Sequence, residues 1–254
     1  MRAALTADRS ITVSADGDPL FVYSYGAPRP GLAGGSFPTP ITWLPPLADP
    51  GTATHRTLTE LSSAPDAAIL AHRLRWPAVD EWRSLTTARA GDGWLLLFEN
   101  TITNVTDHPL PLTGPSLTLP AITAPPAART EWQAARTAAA AVVVVDDAAN
   151  LAHPPRWSAG LSPAPFGSGG LPLGPQRTVA FRYAVLVAPA DRDAAYLAGL
   201  GRAALTGPLP ARSPVCPGEH PPGRRAHSPG GGTRVAAAHR GTPTARSRCA
   251  PRWP

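Results

Sequence analysis

Alternating apolar and polar residues over much of the chain predict β-strands separated by turns. Residues 9–25 (RSITVSADGDPLFVYSY) alternate on both sides of Asp16-Gly17-Asp18, a pattern typical of a β-hairpin. The four consecutive valines of AAAAVVVVDD favour a buried strand over a helix. Further strand patterns occur at 68–76, 80–89, 93–103, about 110–112, 138–147 and 178–188.

The strand that begins at Gly93 is expected to change its surroundings along its length. Trp94 to Phe98 form an uninterrupted apolar run, which is typical of a strand buried on both faces. From Glu99 onward polar and apolar residues alternate, which predicts a strand with one face toward solvent.

A single helix is predicted near the end of the patterned region, over residues 191–205 (DRDAAYLAGLGRAAL). Asp residues at its start complement the helix dipole, and Tyr196, Leu197 and Leu200 are expected to form an apolar stripe. Many short strands and one helix predict an all-β protein, an antiparallel β-sandwich with one C-terminal helix.

Proline and glycine interrupt this pattern. The chain contains 33 Pro and 23 Gly, too many for a helical bundle. Residues 26–51 hold seven of the prolines, and proline cannot donate to a sheet ladder, so this segment is expected to be an irregular insert. We predict a β-sandwich domain over 1–206, with 26–51 as the irregular insert, and a disordered basic tail over 207–254.

The positive charge is concentrated in that tail. The whole chain has a formal net charge of +6, yet residues 212–254 carry eight Arg against Glu219 alone. Few residues there could form a core, which favours disorder. Two hypotheses remain open: a basic arm that contacts nucleic acid through phosphates, or a non-adaptive extension such as a shifted reading frame. The second is preferred, so nucleic acid is not expected as a partner.

Cysteine and lysine usage excludes several kinds of chemistry. Both cysteines, Cys216 and Cys249, lie in the tail, so neither a disulfide scaffold nor a thiolate zinc site is supported. The chain has no lysine, which excludes P-loop and Schiff-base lysines. No metal and no cofactor is expected. The chain lacks a signal peptide and any apolar stretch long enough to span a bilayer, which predicts a cytoplasmic protein without a membrane partner.

The strongest candidate for chemistry is the loop after the valine strand, DDAANLAHPPRWSAGLSPAPF. Asn150, His153, Arg156 and Trp157 lie close together in it. A sugar could stack on the indole while amide and guanidinium groups bind its hydroxyls, and His153 could act as an acid or a base. The alternative is structural, with Asn150 capping a turn and Trp157 packed in the core. Asp146-Asp147 is expected to lie in a solvated turn rather than to bind a cation. His55-Arg56 and His72-Arg73 are expected to face solvent or to pack rather than to bind a ligand.

Five segments resemble, in content and order, the soluble bacterial PmoA-like family, whose members carry the name methane oxygenase PmoA. They are LFVYSY (20–25), HRLRWPAVDEWRSLTTA (72–88), GWLLLFENTITNVTDHPLPL (93–112), NLAHPPRW (150–157) and SPAPFGSGGLPLGPQRTVAFRYAVLVA (162–188). The resemblance implies a supersandwich fold of the galactose-mutarotase kind. The oxygenase name is taken as inherited from a membrane protein, since no segment here could span a bilayer.

The resemblance also implies lost function. Relatives carry a histidine-rich block after the first hairpin, whereas residues 26–51 contain no histidine. Matched positions retain Asn150, His153 and Trp157, together with Trp82 and Arg83. We therefore expect a truncated, catalytically impaired copy with at most a weak pocket for a small sugar-like ligand. Two alternatives stay open: an active enzyme of sugar or polyol metabolism that uses His153, and a nucleic-acid-binding protein that uses the tail.

Overall fold

Antiparallel β-sheets carry most of the chain, as the alternating pattern predicts. The computed structural model describes residues 1–6, 9–38, 40–115, 117–119, 129–158, 160–166 and 170–207. The strands in these ranges are β1 (Arg2–Thr6), β2 (Ser10–Ala15), β3 (Asp18–Ser24), β4 (Gly31–Ala33), β5 (Ile41–Trp43), β6 (Thr54–Ser63), β7 (Ala67–Arg75), β8 (Val79–Ala90), β9 (Gly93–Asn104), β10 (Leu110–Leu112), β11 (Leu117–Thr118), β12 (Trp132–Arg136), β13 (Ala140–Asp146), β14 (Arg156–Ser158), β15 (Ser162–Ala164), β16 (Leu171–Leu173) and β17 (Thr178–Pro189). The helix α1 spans Ala194–Thr206.

Two sheets form the sandwich, which confirms the predicted fold class. The first has six strands in the order β1-β2-β3-β4-β5-β11, and the second has seven in the order β12-β13-β17-β9-β8-β7-β6. Short ribbons pair β10 with β16 and β14 with β15. β7, β8 and β9 follow one another in sequence and pair in that order, so the short turns between them set their register. β17 pairs with β9 from the other side.

The main core lies between the inner faces of the two sheets. Because side chains alternate across a strand, β3 sends Phe21 and Tyr23 inward, and both are fully buried. In the facing sheet Phe98 on β9 is also fully buried, and its ring stacks on that of Trp43 with 4.6 Å between the centroids. The expected change along β9 is confirmed: Trp94 to Phe98 are all buried, and from Glu99 onward buried and half-buried residues alternate.

A second, smaller core lies on the outer face of the seven-stranded sheet. There α1 packs Leu197, Ala198 and Leu205 against a surface that includes Val143 and Val145. This explains why the valine run is buried on both faces. The helix begins at Ala194, capped by the Asp193 carboxylate, which accepts a hydrogen bond from the Tyr196 backbone N–H at 2.7 Å. Tyr196 itself is 55% exposed, so the predicted apolar stripe is wrong at that position.

The Pro/Gly-rich segment 26–51 is more ordered than its composition indicates. It contributes β4 and β5 to the six-stranded sheet. Leu32, Ile41 and Trp43 from these strands are buried in the main core. The prediction of an irregular insert is therefore wrong for these strands, because three-residue strands fit between prolines that lie outside the ladder positions.

The predicted tail lies almost wholly beyond the described residues, which end at Gly207. The prediction of disorder over 207–254, the two cysteines and the nucleic-acid alternative therefore stay predictions. Within the residues that the structure describes, α1 is too short to cross a bilayer, and no other helix qualifies.

Candidate functional site

A cleft of about 250 Å³ opens on the outer face of the seven-stranded sheet, over β6 to β9. Two cross-strand rows form its floor. In the first row, Trp82 on β8 lies directly between Arg73 on β7 and Thr101 on β9. In the second row, Asp80 lies between Arg75 and Thr103. Side chains opposite one another in a ladder are close enough to contact the same small ligand.

An irregularity in β6 adds a further arginine to this cleft. His55 pairs with Leu74 and Thr57 pairs with Arg73, so Arg56 is the extra residue of a β-bulge. Since a bulge re-aims a side chain, it lets Arg56 line the cleft beside Arg73 while His55 contacts the core.

The charges of the cleft are unbalanced. The guanidinium of Arg75 forms an ion pair with the Asp80 carboxylate at 3.0 Å between Nη1 and Oδ1. Arg56 and Arg73 line the same cleft, and neither forms an ion pair with any residue that the structure describes. The carboxylate of Glu81 points to the other side of β8, where Arg83 binds it. Among the described residues, Arg56 and Arg73 therefore have no carboxylate partner.

His153 and Asp146 form a second candidate centre at the end of β13. His153 Nδ1 lies 2.7 Å from Asp146 Oδ2, and Asn150 Nδ2 donates to Asp146 Oδ1 at 2.7 Å. Asp146 is 3% exposed, so its predicted place in a solvated turn is wrong. The reason is that β13 extends to Asp146, which pairs with Tyr183, and the following loop folds back over it. Burial raises the pKa of Asp146 to about 6, against the hydrogen bonds from Asn150 and His153.

The hydrogen bond between His153 and Asp146 fixes the orientation of the His153 imidazole. Because an ionised Asp146 can only accept, the proton of a neutral His153 ring lies on Nδ1, and Nε2 is left as an acceptor. The His153 side chain is 24% exposed. A carboxylate-oriented histidine at a surface can accept and return a proton, which is the chemistry that general acid–base catalysis requires.

The rest of the predicted loop site does not converge on a ligand position. The amide of Asn150 bonds the backbone of Arg182 through both its oxygen and its nitrogen, at 2.7 Å each. Trp157 is 2% exposed, and its Nε1 donates to the Thr130 carbonyl at 2.9 Å. The indole therefore offers no open face for stacking, which corrects the predicted sugar platform. Arg156 is exposed on β14.

Trp82 and Arg83, both predicted to contact a ligand, lie on opposite faces of β8. Consecutive residues of a strand point to opposite sides, so Trp82 lines the cleft while Arg83 enters the main core. Arg83 is fully buried and bonds both carboxylate oxygens of Glu81, at 2.9 and 3.0 Å. The predicted role of Arg83 as a ligand contact is thus wrong, because its five donors are used inside the protein.

The buried polar network continues from Arg83 to two histidines. Arg83 Nη1 donates to Tyr23 Oη at 3.0 Å, and Tyr23 Oη lies 2.8 Å from His72 Nε2. His72 Nδ1 in turn lies 3.3 Å from His55 Nδ1. The Tyr23 hydroxyl hydrogen finds its acceptor in His72 Nε2, which leaves the His72 proton on Nδ1, directed at His55.

Burial shifts the acid–base behaviour of this network. It lowers the pKa of His72 to about 2, helped by the positive charge of Arg83. It also lowers the pKa of the His55 imidazole and raises the pKa of Tyr23 to about 12. Of the two expectations for His72, packing is the correct one, since the ring is fully buried, whereas Arg73 is exposed.

Several important side chains were not predicted as site residues. Arg56 is placed by a bulge, and the sequence pattern gives no sign of that shift. Glu81 could have been recognised, because it shares strand parity with Arg83 and two like-facing opposite charges can pair in a core. Asp146 directly follows the four valines, so its burial could have been inferred by extending the buried strand by one residue.

Neither the arrangement of possible metal ligands nor the comparison with known proteins assigns a further role to this chain. Within the described ranges, no group of three or more His, Cys, Asp or Glu residues is placed to hold a metal ion. No protein-family model matches the chain, and no curated protein matches it either.

Proposed function

We propose that this protein is a PmoA-like β-sandwich protein that binds a small carbohydrate-type ligand in the outer-face cleft. The observation that carries the proposal is the position of Trp82. It lies half-buried on the cleft floor, with Arg73 beside it on one strand and Thr101 beside it on the other.

This combination of groups suits a sugar. An indole packs against the apolar face of a sugar ring, while guanidinium and hydroxyl groups bind the ring hydroxyls. The cleft volume of about 250 Å³ is below the roughly 300 to 1,000 Å³ usual for drug-sized ligands. A single ring therefore suits the cleft better than an oligosaccharide.

The PmoA-like part of the proposal rests on the ordered sequence segments. Two of them, 72–88 and 93–112, include the last four residues of β7, all of β8 except its last two residues, and all of β9, which form much of the cleft floor. The absence of histidine from 26–51 supports a binding role over the full chemistry of a histidine-rich site.

Ligand-observed saturation-transfer NMR with a panel of monosaccharides tests the proposal. We expect signal transfer with the wild-type protein and its loss in Trp82→Ala, with an unchanged thermal melt. Trp132→Ala is the matched control, because Trp132 is also half-buried but lies on β12, at the opposite edge of the sheet. Equal transfer in wild type and Trp82→Ala would refute the cleft as the site.

A second candidate is an enzyme of sugar or polyol metabolism. The hydrogen bond between His153 Nδ1 and Asp146 Oδ2 favours it, because this pair can exchange a proton with a bound hydroxyl. We expect His153→Ala to abolish turnover on a panel of aldoses and polyols while the melt is kept. His108→Ala is the control, since His108 is a largely exposed histidine. Unchanged turnover in His153→Ala would exclude this candidate.

A further inference from the structure

We propose that the cleft is selective for a monosaccharide that carries a negative group, a carboxylate or a phosphate, bound by Arg56 and Arg73. The inference rests on the proposed function and names its ligand class. Its basis is that two of the three cleft arginines have no carboxylate partner among the described residues, whereas Arg75 is paired with Asp80.

The bulge in β6 explains why Arg56 lines the cleft together with Arg73. Arg56 is the unpaired residue between His55 and Thr57, and Thr57 is the ladder partner of Arg73. Arg56 and Arg73 thereby line one cleft, and neither has a carboxylate partner among the described residues. Like charges repel, and an anion bound by both groups would offset that repulsion while accepting directed hydrogen bonds from each.

The neighbouring groups explain why the anion should belong to a sugar rather than be a bare ion. Trp82 supplies a stacking surface between Arg73 and Thr101. The Thr103 hydroxyl, also in the cleft, bonds the Thr178 hydroxyl at 2.8 Å. An anion without a ring would leave the indole uncovered, and a neutral ring would leave the two arginines unneutralised.

A second cavity lacks these features. It measures about 340 Å³ and lies beside the turn between β8 and β9. Its charged group, Asp92, is bound by the Arg192 guanidinium, and most of its remaining lining is apolar. It therefore offers no unneutralised arginine, which distinguishes the arginine cleft as the anion site.

The test compares neutral and charged forms of one sugar on the full chain. Isothermal titration with D-glucose, D-glucuronate and D-glucose 6-phosphate gives the three affinities. We expect at least one charged form to bind at least about tenfold more tightly than glucose, which corresponds to about 1.4 kcal/mol. The preference should shrink as salt rises, because exposed charges are screened over about 10 Å at 0.1 M. The charged form that binds better identifies the group.

Arginine variants test which residues cause the preference for the charged sugar over glucose. Arg73→Gln and Arg56→Gln should each lower the affinity for the charged sugar more than the affinity for glucose, so that the ratio of the two affinities falls toward one. Arg2→Gln is the matched control, because Arg2 is exposed and its neighbour Met1 contacts the Ala64 carbonyl at the far end of β6. Equal binding of neutral and charged forms, or a preference that survives both arginine variants, would overturn this inference and leave the proposed function standing. No binding of any form would overturn both.

Discussion

Arg83 and Glu81 lie two positions apart on β8 and form an ion pair inside the core, with 2.9 Å between Nε and Oε1 and both side chains fully buried. Glu81 also accepts hydrogen bonds from Trp76 Nε1 at 2.8 Å and Asn100 Nδ2 at 3.1 Å. Arg83 further donates to the Trp43 carbonyl on β5 at 2.9 Å, so the pair connects the two sheets. Burial acts to lower the pKa of Arg83, but the negative charge of Glu81 and the hydrogen bonds to Glu81 and Tyr23 together outweigh it and raise that pKa.

Glu81→Gln should destabilise the protein by about 3 to 5 kcal/mol, because it leaves the buried Arg83 charge without a counter-charge. Asp80→Asn makes the same chemical change at the adjacent residue, whose ion pair with Arg75 is exposed, and should cost only about 0 to 1 kcal/mol. Urea unfolding of the two variants gives both values. Equal losses would contradict the structural role given to the buried pair.

The stability should fall in acid because of His72. Its pKa is about 2 in the folded protein against 6.5 in the unfolded chain, so the unfolded chain binds more protons between these values. The stabilisation is complete above pH 6.5 and is lost as the pH falls from there toward 2, at about 1.4 kcal/mol per pH unit for one proton. Urea midpoints across this range should show a flatter dependence for His72→Gln than for wild type. His108→Gln, at a largely exposed position, should leave the dependence unchanged.

Asp146 should oppose that trend. Its folded pKa of about 6 lies above its unfolded value of 3.8, so its contribution is present below pH 3.8 and is lost as the pH rises through 6. Asp146→Asn removes this contribution, and stability should then rise more steeply with pH between 3.8 and 6 than in wild type. Parallel pH profiles for the two proteins would show that Asp146 is not buried as described.

Two glycines of α1 should respond to alanine in opposite directions. A Cβ at Gly201 would lie 2.7 Å from Val145 Cγ2 and 2.9 Å from Leu186 Cδ2, so Gly201→Ala should push the helix off the sheet and lower stability. A Cβ at Gly199 meets nothing within 4 Å, so Gly199→Ala should gain up to about 1 kcal/mol of helix propensity. Thermal melts of the pair check the docking of α1, and a gain in both variants would contradict it.

Local pattern was sufficient to predict the long strands but not the short ones. The alternation around Asp16-Gly17 and the run from Trp94 correspond to β2, β3 and β9 of the structure. In 26–51 the prolines concealed β4 and β5, because three residues are too few to reveal the two-residue alternation of a strand. Trp43 is nevertheless buried, and only the facing sheet makes that clear.

The candidate site was harder to predict because it depends on which face each residue takes and on long-range pairing. The family resemblance gives both Trp82 and Arg83 as ligand contacts. Consecutive residues of a strand point to opposite faces, so the two side chains lie on opposite sides of the sheet. Arg56 reaches the cleft through a bulge, which shifts parity by one residue. The folding of the loop places Asp146 beside His153, a pairing that the sequence does not predict, and the role of His153 as an acid or a base stays a prediction.

Mapping a sugar onto the protein by ¹H–¹⁵N correlation spectra tests the central claim most directly. During titration with the sugar that binds best, the account predicts shifts concentrated at Arg73, Trp82 and Thr101, including the Trp82 indole N–H, and small changes at Asn150 and His153. Shifts concentrated at the 150–157 loop, with the three cleft residues unmoved, would contradict it.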